Sequence, residues 1–124
     1  KVLPKMSPYG DLTAEELAKL RKVASELDEP IDVVGSTAKG KRRNIGSDLP
    51  IGKDDGTKSD LDIRIDGEAD IRTGGRATDR VYQEFPKGKD VDRVLNSDPY
   101  PGEPRITVNP DGSVITHGDV PIRE

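Results

Sequence analysis

The spacing of apolar residues predicts one long helix near the start of the chain. Five of them recur at helical spacing: Leu17, Leu20, Val23, Ala24 and Leu27. Thr13 and Glu16 have the spacing of a capping box, in which each side chain accepts a hydrogen bond from the other residue's backbone N–H. Pro30 follows and stops the helix. The pattern therefore predicts a helix over Ala14 to Leu27 that covers a sheet.

Strict alternation of apolar and charged residues predicts a strand over Ser59 to Asp66. Leu61, Ile63 and Ile65 share one face, and the charged residues between them share the other. Shorter strands are predicted at Ile31 to Val34, at Asp90 to Leu95, and in a hairpin of Arg105 to Val108 and Ser113 to His117. Further helices are predicted from Ser36 to Lys41 and from Gly75 to Phe85, with a polar loop over Arg42 to Lys58. This order indicates an α+β fold, a small mixed β-sheet flanked by helices.

Composition sets limits on what the chain does. Its 124 residues are enough for one domain, residues 1–124, and with 31% apolar and 35% charged residues the core is thin. A net charge of −4 argues against general nucleic-acid binding, which needs a positive excess. The absence of cysteine excludes disulfides and thiol catalysis and favours a reducing, cytoplasmic site of action. No apolar run is long enough to span a bilayer, so no membrane partner is expected.

Asp60 and Asp62 are separated by one residue on the predicted strand, so both carboxylates leave the same face. Two carboxylates this close repel each other unless a cation lies between them. Mg²⁺ prefers such oxygen ligands together with substrate phosphates. Taken alone, the pair is also typical of a solvated strand face.

Gly35 and Ser36 follow a predicted strand and open a predicted helix, with Gly40 one turn later. A glycine lets the backbone approach a phosphate closely, and a helix N-terminus offers it free N–H groups. Gly35, Gly40 and Lys41 also approach a P-loop pattern, but Arg42 stands where that motif needs Ser or Thr.

The combination of the Gly35-Ser36 turn, a polar loop and the Asp60-Leu61-Asp62 motif resembles the nucleotidyltransferase superfamily that includes DNA polymerase beta and the minimal nucleotidyltransferases. The resemblance covers about half the chain, from Ile31 to Leu95. It implies that the turn, with Lys39, Gly40 and Lys41, binds the phosphates of a nucleoside triphosphate. It also implies that Asp60, Asp62 and a third carboxylate on a neighbouring strand hold two Mg²⁺ ions.

The third carboxylate is the main departure from that family's pattern. Asp92 follows the helix after the acidic pair, as the family's order requires, and Asp90 is a second candidate. If the third strand is instead Arg105 to Val108, Thr107 takes the expected place and a ligand is missing. The loop after Gly40 is also longer than in minimal members, and its basic residues, Arg42 and Arg43 among them, either clamp phosphates or an RNA acceptor or are simply solvated.

The resemblance implies a transferase that moves a nucleotide from a nucleoside triphosphate to a hydroxyl of RNA or protein. The absence of a start methionine and of a second domain is the pattern expected of an excised module, such as the terminal toxin domain of a larger secreted bacterial protein. A cognate inhibitor protein is then an expected partner. Two alternatives remain: a non-catalytic nucleotide- or partner-binding module of the same fold, and a metal-dependent nuclease toxin.

Overall fold

A computed structural model of the chain describes residues 3–52, 56–65, 74–95 and 97–123. The described helices are α1 (Ala14–Leu27), α2 (Gly35–Lys39) and α3 (Gly74–Glu84). The described strands are β1 (Ile31–Val34), β2 (Leu61–Ile65), β3 (Val91–Leu95), β4 (Arg105–Val108) and β5 (Val114–His117). The predicted type and order of these elements are confirmed.

Local sequence explains where the first two helices begin and end. Helix α1 has its predicted bounds and its predicted capping box, with Thr13 Oγ1 accepting from Glu16 N at 3.1 Å and Glu16 Oε1 accepting from Thr13 N at 3.0 Å. Helix α2 is shorter than predicted. It ends at Lys39 because Gly40 turns left-handed, at φ 72°, and donates its N–H back to the carbonyl of Ser36.

The five strands form one mixed sheet in the order β3-β2-β1-β4-β5. Strands β2 and β3 are parallel, and the other neighbours are antiparallel. The β4–β5 hairpin closes through Asn109, whose N–H donates to the carbonyl of Ser113 at 2.9 Å. Strand β2 begins two residues later than predicted, and Asp66, its predicted last residue, lies outside the described residues.

The core lies between one face of the sheet and helices α1 and α3. Alternation along β1, β2 and β4 directs the apolar side chains into it, namely Ile31, Val33, Leu61, Ile63, Ile65, Ile106 and Val108. The opposite face, called here the polar face, carries Asp32, Asp62, Arg64, Arg105 and Thr107. Among the described helices, none is long and apolar enough to cross a membrane.

Candidate functional site

The antiparallel register of β1 and β2 brings the end of one strand beside the start of the other. Val34, the last residue of β1, pairs with Asp62, the second residue of β2. Gly35 follows Val34 directly, so the chain turns next to the acidic motif. The predicted proximity of the glycine turn and Asp62 is confirmed.

Gly35 and Asp62 are in direct contact. Gly35 has φ +68°, a conformation that L side chains rarely adopt, and a Cβ atom placed on it would overlap Oδ2 of Asp62 and lie 3.1 Å from its Cγ. The Asp62 carboxylate therefore packs over the α-carbon of the turn. Glycine is required here both for the backbone conformation and for the space.

Strand β3 places a second acid beside Asp62. The parallel register pairs Leu61 with Val91 and Ile63 with Val94, so Asp62 lies opposite a two-residue irregularity that begins with Asp92. Because Leu61 and Val91 are both buried, alternation puts Asp92 on the polar face with Asp62. Asp92 is exposed, and Asp62 and Asp60 are half-buried. All three acids thus lie near the starts of two adjacent strands.

Asp90 and Thr107, the other two candidates for the third position, have different roles. The carboxylate of Asp90 forms an ion pair with Lys58, a lysine that is only 6% exposed. Its carbonyl accepts the N–H of Leu61 at 2.9 Å. Thr107 lies on β4, which pairs with β1 and not with β2. Of the three candidates, only Asp92 lies on a strand next to β2 and on its polar face.

The donor chemistry of this group fits Mg²⁺, because carboxylate oxygens are the ligands that this ion takes from proteins. Asp62 and Asp92 lie on adjacent strands, and Asp60 precedes Asp62 by two residues. Within the described ranges, no three acidic or histidine side chains are gathered into a ready metal site. The assignment of Asp60, Asp62 and Asp92 as metal ligands stays a prediction.

No family model, curated protein or solved structure matches this chain. The resemblance to nucleotidyltransferases therefore depends on the sequence motifs alone.

The other residues predicted to bind the nucleotide follow Gly35 along α2. Ser36 is half-buried, and Lys39 and Lys41 are exposed. Gly40 packs against the ring of Pro121, whose Cγ would lie 2.7 Å from an added Cβ. Packing alone accounts for this glycine, so its role in nucleotide binding stays a prediction.

Arg42 does not have the exposed side chain that a phosphate clamp needs. Its guanidinium donates to both carboxylate oxygens of Glu16, at 2.7 and 2.8 Å, and its side chain is only 4% exposed. Its backbone N–H donates to Asp11 at 3.0 Å. Both expectations for Arg42, a clamp for phosphates or RNA and a solvated side chain, are therefore wrong, because this arginine joins the loop to the first turn of α1. Arg43 is exposed and donates to the carbonyl of Gly52.

A buried polar network on the polar face was not predicted from the sequence. Arg64 Nη1 lies 2.6 Å from Asp32 Oδ2, and the Thr107 hydroxyl donates to Asp32 Oδ1 at 2.6 Å. The Asp32 and Arg64 side chains are 9% and 5% exposed. The signal was a charged residue within the short apolar strand Ile31–Val34. Such a residue needs a partner when it is buried.

Proposed function

We propose that this chain is a Mg²⁺-dependent nucleotidyltransferase. The observation that carries the proposal is the contact between Gly35 and the Asp62 carboxylate, with Asp92 at the irregularity opposite Asp62 on the adjacent strand. The turn at Gly35 would bind the phosphates, and the Asp62 carboxylate beside it would bind the cation. A phosphate chain and its cation could therefore bind next to each other. The transfer joins the acceptor hydroxyl oxygen to the α-phosphorus of a nucleoside triphosphate, releasing pyrophosphate and the hydroxyl proton.

Each residue has a separate part in this scheme. The backbone N–H groups of Gly35 and Ser36, in the first turn of α2, donate to the phosphates, since such groups have no partner within a helix. Lys39 and Lys41, exposed at the other end of α2, neutralise phosphate charge. A short helix contributes little dipole, so the glycine turn matters more than the helix behind it.

Asp60, Asp62 and Asp92 would hold the metal. Mg²⁺, when bound, offsets negative charge on the phosphates and on the entering and leaving oxygens. The protein supplies position: β1, β2 and β3 are fixed by the sheet, so the turn and the two strand starts do not have to be brought together by the substrate.

The setting of the activity is part of the same proposal. An acceptor in RNA or protein, a toxin role in a recipient's cytoplasm, delivery within a larger secreted protein and a cognate inhibitor protein are proposed from the family resemblance alone. That step is analogy, because a fold supports many functions.

The decisive experiment incubates the protein with each α-labelled nucleoside triphosphate, Mg²⁺ and either total RNA or a cell lysate. We expect label on one acceptor class, and we expect none from the double variant Asp60→Ala/Asp62→Ala or in the presence of a chelator. Asp79→Asn is the matched control, because Asp79 is an exposed acid on α3, across the sheet from the polar face.

Two outcomes would replace the proposal. Binding of a nucleoside triphosphate with no label transfer to any acceptor would identify a non-catalytic module. Cleavage of RNA or DNA that needs Mg²⁺ but no nucleoside triphosphate would identify a nuclease. Transfer that survives the double variant would remove the mechanism and leave the activity to other residues.

A further inference from the structure

An open cavity of about 330 Å³ lies on the polar face, beside the buried Asp32–Arg64 pair. Its walls come from β1, β2 and β4 and from the segment after β3, and its lining includes Pro30, Asp98, Pro99, Arg105 and Thr107. Arg64 is two residues from Asp62 along β2, so the cavity lies near the candidate site without including its residues. Its size is that of a site for a small ligand or for one group of a larger molecule.

Arg105 is the unusual residue of this cavity. Its Nε atom is buried, and no described residue accepts a hydrogen bond from it. A buried donor without an acceptor is costly, and the cost is greater for a charged group. Nε itself is enclosed and cannot be reached from the cavity, so an anion there would pair with the charge of this guanidinium through its terminal nitrogens.

Neither of the two carboxylates that line the cavity pairs with Arg105. Asp32 already accepts hydrogen bonds from Arg64 and Thr107, each at 2.6 Å. Asp98 has a fully exposed side chain, and its Oδ1 lies 3.8 Å from Nη2 of Arg64. Arg64 in turn donates to Asp32 and to the carbonyl of Ser97. Arg105 therefore brings the one positive charge of the cavity that lacks such a partner among the described residues.

We propose that this cavity is an oxyanion-binding site in which Arg105 holds a phosphate or carboxylate group. A guanidinium presents its donors as a planar fork that matches two oxygens of either group. Pro30 and Pro99 give the walls an apolar part beside the charged side chains. The proposal does not depend on nucleotidyl transfer, because none of the residues assigned to that reaction lines the cavity.

The test is a titration of the whole chain, labelled with ¹⁵N, first with inorganic phosphate and then with acetate. We expect saturable shifts of amides in β4 and in the segment after β3 with at least one of the two anions. Arg105→Gln keeps a polar side chain but loses the charged fork, and it is expected to weaken binding by about tenfold or more. Arg21→Gln is the matched control, because Arg21 is an exposed arginine on α1, on the other side of the sheet.

Equal binding by wild type and Arg105→Gln would overturn the proposal, as would shifts that never saturate with either anion. The double variant Lys39→Gln/Lys41→Gln separates this site from the proposed transferase site, because both lysines are assigned there to phosphate charge and neither lines the cavity. Oxyanion binding that survives this double variant but not Arg105→Gln supports the cavity whatever the outcome of the label-transfer experiment. Loss of binding in the double variant with Arg105→Gln unaffected would assign the anion to the glycine turn and reject the cavity.

Discussion

The Asp62 carboxylate rests on the α-carbon of Gly35, and no side chain fits between them. This contact is a direct result of register, since the residue before Gly35 pairs with Asp62 across β1 and β2. The glycine has two separable requirements here, a left-handed backbone and the absence of a Cβ. They can be tested apart because other glycines of the chain meet only the first.

Gly35→Ala is expected to lower both stability and label transfer. A left-handed backbone alone costs a non-glycine residue about 1–2 kcal/mol, and overlap with the Asp62 carboxylate adds to that. Gly102→Ala is the control, because Gly102 has φ +78° and an added Cβ there meets nothing within 4 Å. Chemical denaturation of both variants should show the larger loss for Gly35→Ala. Equal losses, with transfer intact in both, would show that Asp62 moves freely away from the turn.

Asp92→Asn is expected to lose activity and keep its stability, whereas Asp90→Asn is expected to lose stability. Asp92 is exposed, so its amide variant should keep its stability and lose label transfer. Asp90 pairs with the buried Lys58 but is itself only partly buried, so Asp90→Asn should cost about 1–3 kcal/mol by weakening the partner of that lysine. Thermal melts and transfer assays on both variants decide this. A stable Asp90→Asn without activity, beside an active Asp92→Asn, would reverse the assignment of the third ligand.

Asp32→Ala is expected to destabilise the protein by about 3 kcal/mol, the lower end of the usual cost for breaking a buried pair. The lower end applies because Arg64 keeps the carbonyl of Ser97 as an acceptor. Thr107→Val removes only the hydroxyl that donates to Asp32 and should cost about 1 kcal/mol. Urea denaturation measures both. A loss for Asp32→Ala no larger than that for Thr107→Val would contradict a stabilising role for the buried pair.

Local patterns predicted the elements well because the apolar residues of this chain are few and regularly spaced. The bounds of α1 follow from one capping box and one apolar stripe, and the face of β2 follows from alternation. These are short-range signals. The proximity of Gly35 to Asp62 was instead expected from the resemblance to nucleotidyltransferases, and the pairing of β1 with β2 accounts for it.

Pairing between distant segments could not be predicted in the same way. Strand alternation says that Asp90 and Asp92 share a parity, but it does not say that β3 starts at Val91 or that Lys58 engages Asp90. Arg42 was interpreted as a cation free to bind phosphates because its partner, Glu16, lies 26 positions away in the sequence. In each case the deciding contact joins residues far apart in sequence, and charge alone does not identify the partner.

Arg80 offers a test of such a distant pairing through pH. It joins α3 to α1, donating to Glu26 at 2.5 Å and to Glu84 at 2.9 Å. The hydrogen bond from Arg80 is the main reason that the pKa of each carboxyl is lowered from its ordinary value of 4.5, and Lys22 also lowers the pKa of Glu84. The charged carboxylates are thus favoured by the folded state.

Because both pKa values are lower in the folded than in the unfolded chain, the stabilisation is fully present above the ordinary pKa and is lost as pH falls through the folded values. Arg80→Gln should therefore melt at a lower temperature than wild type near neutral pH, and the gap should narrow as the pH falls below 4.5. Arg21→Gln is the control, since the Arg21 Nε donates to the carbonyl of Gly112, which does not titrate. Thermal melts across this range decide the matter, and a gap for Arg80→Gln that stays constant with pH would mean that Arg80 stabilises the helix pair by packing alone.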